Sequence, residues 1–204
     1  WFIHDRLKND ADRLRRSKYI TMFMMASPFF FVPNVLKWMN MGHTSLALSM
    51  FAVMTIAIVS IMSIKITGSL AISGNMAFAA LAWHFIYLPY VTGGIESSAL
   101  AWNMVVPVLA ATLVGMKSAL FWTSVMLMEV IVFYKLHTMG YPLPTITLSP
   151  DQMLQTRLAN ILGPLLAMSL TISVADKGVR DTFKSQQKAL QGRDRAMTDL
   201  EKSK

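Results

Sequence analysis

His84-Phe85-Ile86-Tyr87-Leu88-Pro89-Tyr90-Val91-Thr92-Gly93-Gly94-Ile95-Glu96-Ser97 lies between two long apolar runs. Its centre, Gly93-Gly94, reads as a chain reversal, because paired glycines accept positive φ and close backbone approach. A reversal at this point makes the runs on either side, about 70–90 and 99–114, two antiparallel spans. It also sets His84 and Tyr87 inside the first of them and leaves Glu96 and Ser97 on a lip that joins the two.

The same pattern extends outward along the chain. The 204 residues are 54% hydrophobic, with a mean hydropathy of +0.45. Several runs approach the length needed to cross a bilayer. Six spans are expected, at about 19–39, 45–64, 70–90, 99–114, 118–136 and 158–174. Pro28 and Pro33 predict a kink or break in the first span, and Pro107 falls mid-way along the fourth. Lys37 and Trp38 mark the far end of the first, where a lysine can snorkel and an indole can sit at the interface. Turns are expected at 40–44, at 65–69 with Gly68 ending a helix, and at 115–117. The longest loop is expected from His137 to Arg157, rich in Pro and Gly. Within it, Ser149-Pro150-Asp151-Gln152 carries a helix start, with Ser149 as cap and Pro150 in the first position. The sixth helix is expected to run unbroken into the charged tail.

Charge orients the spans. Sixteen of the nineteen Lys and Arg residues fall on one side of this arrangement and three, Lys37, Lys135 and Arg157, on the other. That bias puts both termini in the cytoplasm. Residues 1–18 form a basic segment in which Ile3, Leu7, Ala11 and Leu14 recur at helical spacing, consistent with an amphipathic helix on the inner surface or with a solvated tail. The segment leads directly into a full-length span, unlike a cleaved signal. The start at Trp1 points to a fragment or processed product. The net charge of +8 is accounted for by membrane topology, with no nucleic-acid partner expected. With no cysteine in the chain, disulfides and thiolate metal sites are excluded. The seventeen methionines fit core packing.

The tail, 175–204, carries a second periodicity. Val179, Phe183, Gln186, Leu190, Arg193, Met197 and Leu200 alternate spacings of four and three, the seam of a parallel coiled coil. This predicts a homodimer; the competing reading is a lone helix on the membrane surface. The heptads are unfinished at Lys204, which predicts a further domain beyond it.

Taken together, Thr92-Gly93-Gly94-Ile95-x-Ser97, then Trp102, Pro107 and Gly115, followed by the tail Gln187-Lys188-Ala189-Leu190-Gln191-Gly192-Arg193-Asp194-Arg195-Ala196, resemble a known family. They are similar to the six-helix membrane input module of bacterial sensor histidine kinases, and to the modules that precede diguanylate and adenylate cyclases. The resemblance covers roughly residues 20–204. It implies a multi-pass protein of the bacterial cytoplasmic membrane that passes a signal through its last helix to a kinase or cyclase domain. The phosphoacceptor and ATP-binding motifs of a kinase are absent, so this chain is expected to have no catalytic activity of its own. An accessory subunit of a larger membrane complex and a transporter are the competing functions.

Glu129 is the only acid inside a predicted span, about 10 Å below the outer boundary at 1.5 Å per residue. A charge at such depth is costly unless paired or hydrated. It is therefore expected to face the interior and to be protonated, partnered or bound to a cation. His84 lies at similar depth and shares a face with Tyr87. A His84–Glu129 pair, completed by Glu96 and His137, offers a divalent-cation site. A haem held by His84 and His137 is a weaker alternative. Ser97 and the exposed backbone of Gly93 and Gly94 would sit over such a site. Trp83, Tyr87 and Trp102 are expected either to line an apolar pocket or to form an interfacial belt.

Overall fold

The computed structural model describes residues 3–8 and 10–202; side chains are not described at Arg6, Lys8, Asp181, Thr182, Ser185, Lys188, Ala189 and 193–202. Among the described residues the chain is helical with no strand. A short helix α1 (Asp5–Lys8) precedes α2 (Ala11–Asn40), α3 (Thr44–Thr67) and α4 (Leu70–Thr92). Two 3₁₀ segments follow, Gly94–Glu96 and Ser98–Met104, and then α5 (Val105–Leu113), α6 (Met116–Thr138) and α7 (Pro150–Lys202). Five helices, α2, α3, α4, α6 and α7, are long and apolar enough to cross a membrane. The protein thus has the build of a multi-pass all-α membrane protein.

Local chemistry accounts for the helix ends. Asp10 caps α2, its carboxylate accepting from the backbone N–H of Asp12 at 3.0 Å and Arg13 at 3.2 Å. This cap separates α1 from α2, so the expected single amphipathic stripe over residues 3–14 is broken. The basic segment from Ala11 onward is instead the first turns of a continuous 30-residue helix. Pro28 and Pro33 do not end α2. Pro28 withdraws the N–H that would serve the Met24 carbonyl, and the Ser27 hydroxyl donates to that carbonyl at 2.7 Å instead. Gly68 closes α3 with φ +64°, as its position in the sequence predicts.

The fourth span differs from expectation. It begins as 3₁₀ helix and becomes α-helix only at Val105, so Pro107 sits in the first turn of α5 rather than mid-helix. A proline in the first turn costs no hydrogen bond that an interior turn would have made. The long loop is also shorter than predicted. α6 extends through Thr138 and α7 starts at Pro150, leaving residues 139–149. Ser149 and Gln152 form a reciprocal cap: the Gln152 N–H donates to Ser149 Oγ at 3.3 Å and the Ser149 N–H to Gln152 Oε1 at 2.9 Å. From there α7 runs 53 residues without interruption, as anticipated.

The elements pack around α4. Half of its most apolar window is buried in the protein, against 11% for that of α7. α4 touches α2, α3, the two 3₁₀ segments, α5 and α6, whereas α7 rests chiefly on Ser98–Met104 and α5. Polar clamps join the helices inside the apolar core. Asn75 Oδ1 accepts from Ser118 Oγ at 2.5 Å and Trp122 Nε1 at 2.8 Å, tying α4 to α6. Ser63 and Ser73 share a hydroxyl bond of 2.7 Å between α3 and α4. Trp38, expected at an interface, is buried and meets His43 edge-on at 5.9 Å.

The lip is a reversal in fact. Gly93 (φ +117°) and Gly94 (φ +60°) both take left-handed backbone. At Gly94 the Leu143 side chain also fills the space a Cβ would take, with Cδ1 2.4 Å from that position. The 139–149 loop folds back over the lip, and the Ile146 N–H donates to the Val91 carbonyl at 2.9 Å.

In the tail, Val179, Phe183, Gln186 and Leu190 of the proposed seam are exposed on α7. The side chains of Arg193, Met197 and Leu200 lie outside the described residues. The seam is thus a row of largely apolar side chains left uncovered in a single chain.

Candidate functional site

His84 is fully buried on α4, at 0% exposure. Its Nδ1 lies 2.7 Å from Ser49 Oγ on α3. The Ser49 hydroxyl also donates to the Leu46 carbonyl at 2.8 Å. A hydroxyl has one proton. With that proton committed to Leu46, Ser49 accepts from His84, and Nδ1 carries the hydrogen. In the neutral ring Nε2 is then an acceptor, and it has no partner in the protein.

His84 lines a partly open cavity of ≈180 Å³. Five elements supply its walls: Phe30, Asn34 and Lys37 from α2, Met50 from α3, Phe85 beside His84 on α4, Trp102 from the 3₁₀ segment, and Asn160 and Gly163 from α7. A dry cavity of about 150 Å³ accommodates benzene, so this one suits a ring-sized group. An aromatic cluster forms part of the wall: Trp102 stacks on Phe85 with centroids 5.2 Å apart and meets Phe30 edge-on at 5.4 Å.

Two further features bind this cavity to α7. Trp102 Nε1 donates to Asn160 Oδ1 at 3.1 Å, and Asn160 Nδ2 donates to Ser98 Oγ at 3.0 Å. Gly163 lets the indole lie directly against α7, since a Cβ there would be 2.4 Å from the ring. Across the cavity, Lys37 Nζ donates to Thr156 Oγ1 of α7 at 3.3 Å and sits 5.0 Å over the Trp38 ring. Pro164 supplies no N–H to the Asn160 carbonyl, a weak point in the helix at the same level. Further along α7, Arg15 Nη1 donates to the Gly178 carbonyl at 2.6 Å. A Cβ on Gly178 would crowd Tyr19 at 3.1 Å. α7 therefore meets the bundle at two glycines, Gly163 beside the cavity and Gly178 at the start of the charged tail.

Glu129 occupies a different place. It is 6% exposed on α6, and its Oε2 accepts from Asn103 Nδ2 at 3.0 Å. Its Oε1 and the Asn103 Oδ1 have no partner. Glu129 lines a broad open groove of ≈740 Å³ between α4 and α6, together with Trp83 and Tyr87.

The expected four-residue cluster is therefore not assembled. His84 pairs with Ser49 and Glu129 with Asn103, and His84 and Tyr87 face different cavities despite their spacing on one helix. His137 is exposed on the last turn of α6 and Glu96 is exposed on the lip. Among the described residues no group of three or more His, Asp or Glu side chains is placed to hold a metal ion. The haem arrangement fails for the same reason, because His137 does not line the cavity of His84. Ser97 is a cap: its Oγ accepts from the Ala99 N–H at 3.1 Å and bonds Thr92 Oγ1 at 2.6 Å. Gly93 and Gly94 serve the turn. Trp102 belongs to a pocket, whereas Trp83 and Tyr87 stack at 6.2 Å on the groove surface.

Sequence reasoning missed Ser49, Asn103 and Asn160, the partners that decide both sites. The signal was present, since an asparagine in an apolar span needs hydrogen-bond partners much as a carboxylate does. No family model, curated protein or solved structure matches this chain.

Proposed function

We propose that the chain is a membrane-embedded input domain that passes a signal through α7 to a cytoplasmic output domain, of the kind found in sensor histidine kinases. The carrying observation is that one uninterrupted helix supplies Asn160 and Gly163 to a cavity wall and then continues as the charged tail. A group that fills the cavity has to share space with Trp102, and Trp102 is seated on α7. A helix 53 residues long transmits a tilt, shift or rotation at one end to the other, provided two packings compete. The ligand favoured by the cavity is a ring-sized apolar group carrying a hydrogen-bond donor for His84 Nε2.

Six spans and two cytoplasmic termini complete the reading. The fourth span, which brings the five long helices to six crossings, comes from 98–113 and is short in residues. A 3₁₀ helix rises about 2.0 Å per residue against 1.5 Å for α, so seven residues of one and nine of the other reach roughly 27 Å, close to the hydrocarbon thickness of about 30 Å. The exposed row Val179, Phe183, Gln186 and Leu190 supports a dimeric coil, in which a second copy covers it.

The absence of cysteine makes a direct test available. Single cysteines at Val179, Phe183 or Leu190 should cross-link rapidly between copies in native membranes, and a cysteine at Lys184 or Gln191 slowly. Adding Gly163→Ala or His84→Ala should change the relative rates along the tail. A pattern that is flat along the tail, or the same in the cavity variants, would overturn the reading.

A further inference from the structure

The groove between α4 and α6 remains without a role in this scheme. It is lined only by those two helices and makes no use of α7. Its walls are apolar and aromatic, with Trp83 and Tyr90 from α4 and Phe121 and Phe133 from α6 lining it along with Glu129. Trp83 is 50% exposed and lies nearly parallel to Tyr87, at 13° between ring planes. At the floor is Glu129, more than nine-tenths buried, with Oε2 held by Asn103 and Oε1 unpartnered. Among the described residues no Lys, Arg or His lines this groove.

These features select a guest by charge. A carboxylate in apolar surroundings holds its charge only when that charge is matched and otherwise takes up a proton. Among the described residues the groove itself supplies no cation, so a cationic guest is what would stabilise the ionised form. Electron-rich faces of Trp and Tyr attract an ammonium group in the same way. A metal ion is a poor match, since it needs several oxygen or nitrogen ligands and the groove offers one carboxylate. The remaining apolar surface, and the open side of the groove, match a hydrocarbon chain. We propose that the α4–α6 groove binds a lipophilic ammonium cation, with the head group at the Glu129 carboxylate beside the stacked Trp83 and Tyr87 rings and the chain along α6.

The test uses the full chain in nanodiscs of uncharged lipid, with radiolabelled dodecylamine as probe and empty nanodiscs as the partition control. Saturable binding near one amine per chain is expected, with dodecanol and dodecanoate failing to compete. Glu129→Gln should weaken binding about 10- to 100-fold, the loss expected of a charge-assisted hydrogen bond. Trp83→Leu, at a half-exposed position that leaves the core intact, should weaken it about 2- to 5-fold through the lost cation–π contact. Glu129→Asp keeps the charge and should retain part of the affinity, which separates loss of the site from loss of the fold. The proposal is overturned if dodecanol competes as well as the amine, if Glu129→Gln binds like the parent, or if no binding exceeds that of empty nanodiscs.

Discussion

His84 and Glu129 are both ionisable side chains buried within apolar helices, and their surroundings differ in every respect that governs use. His84 is fully buried and lines a small, partly open cavity with residues of five elements, α7 among them. Glu129 lies under a wide groove open at the surface of the bundle, formed by α4 and α6 alone. Each has one polar partner from a neighbouring element, Ser49 for the histidine and Asn103 for the acid, and each leaves one atom unsatisfied. The free atom of His84 is Nε2, and the cavity that His84 lines has a cation, Lys37, in its wall. The free atom of Glu129 belongs to an acid in a groove with no cation among its described lining residues. The difference teaches that buried polarity alone does not make two pockets alike. What separates them is the set of elements in the wall: of these two pockets, the His84 cavity includes residues of α7, Asn160 and Gly163, and the Glu129 groove does not.

The sharpest way to break this contrast is to truncate the two tryptophans. Trp102→Ala removes a buried ring packed against Phe30, Phe85 and α7, and should cost about 3–5 kcal/mol. Trp83→Ala removes a half-exposed ring and should cost less than about 1 kcal/mol. Reversible unfolding in bicelles measures both; equal losses would mean that the cavity is no better enclosed than the groove. Gly163→Ala comes next. The new methyl collides with the Trp102 ring and should cost about 1–3 kcal/mol by overpacking. Gly192, with open space around its Cα, is the matched control: Gly192→Ala should be neutral or should stabilise the helix by up to about 1 kcal/mol.

Smaller effects probe the polar partners. Ser49→Ala and Asn103→Ala each remove one interhelical hydrogen bond, for about 0.6–1.7 kcal/mol within a membrane bundle. The two should be additive, because the structure places them at separate sites. A coupling well above about 0.5 kcal/mol would reunite His84 and Glu129 in one network. The least effect is expected from Glu96→Ala and His137→Ala, both exposed, at within about 0.5 kcal/mol. A large loss in either would restore the four-residue site that the geometry divides.

Much of the architecture is legible in the order of residues along the chain. Apolar run length identifies the spans, Gly68, Gly93 and Gly94 mark turns, and Ser149-Pro150 with Gln152 marks the start of α7. The departures have physical causes. The 3₁₀ conformation of 98–104 is invisible to hydropathy, which measures polarity and not rise per residue. Pro28 and Pro33 predict a kink or a break; α2 runs through both, and beside Pro28 the Ser27 hydroxyl takes up the Met24 carbonyl. The predicted His84–Glu129 pair rests on equal depth, and depth says nothing about the direction in which a side chain points around its helix.

That last distinction separates the two sources of information. The sequence alone determined the all-helical class, the apolar segments, their turns and the long terminal helix, because hydrophobic length, capping and backbone freedom are properties of neighbours along the chain. The tertiary structure decided that His84 meets Ser49, that Glu129 meets Asn103, and that Gly163 receives Trp102. Those pairings depend on the rotation of each helix about its axis. α3 and α4 are apolar on nearly every face, so no amphipathic stripe marks which side turns inward. Their rotation is set by the fit of side chains against other helices, which exists only once the helices are packed together.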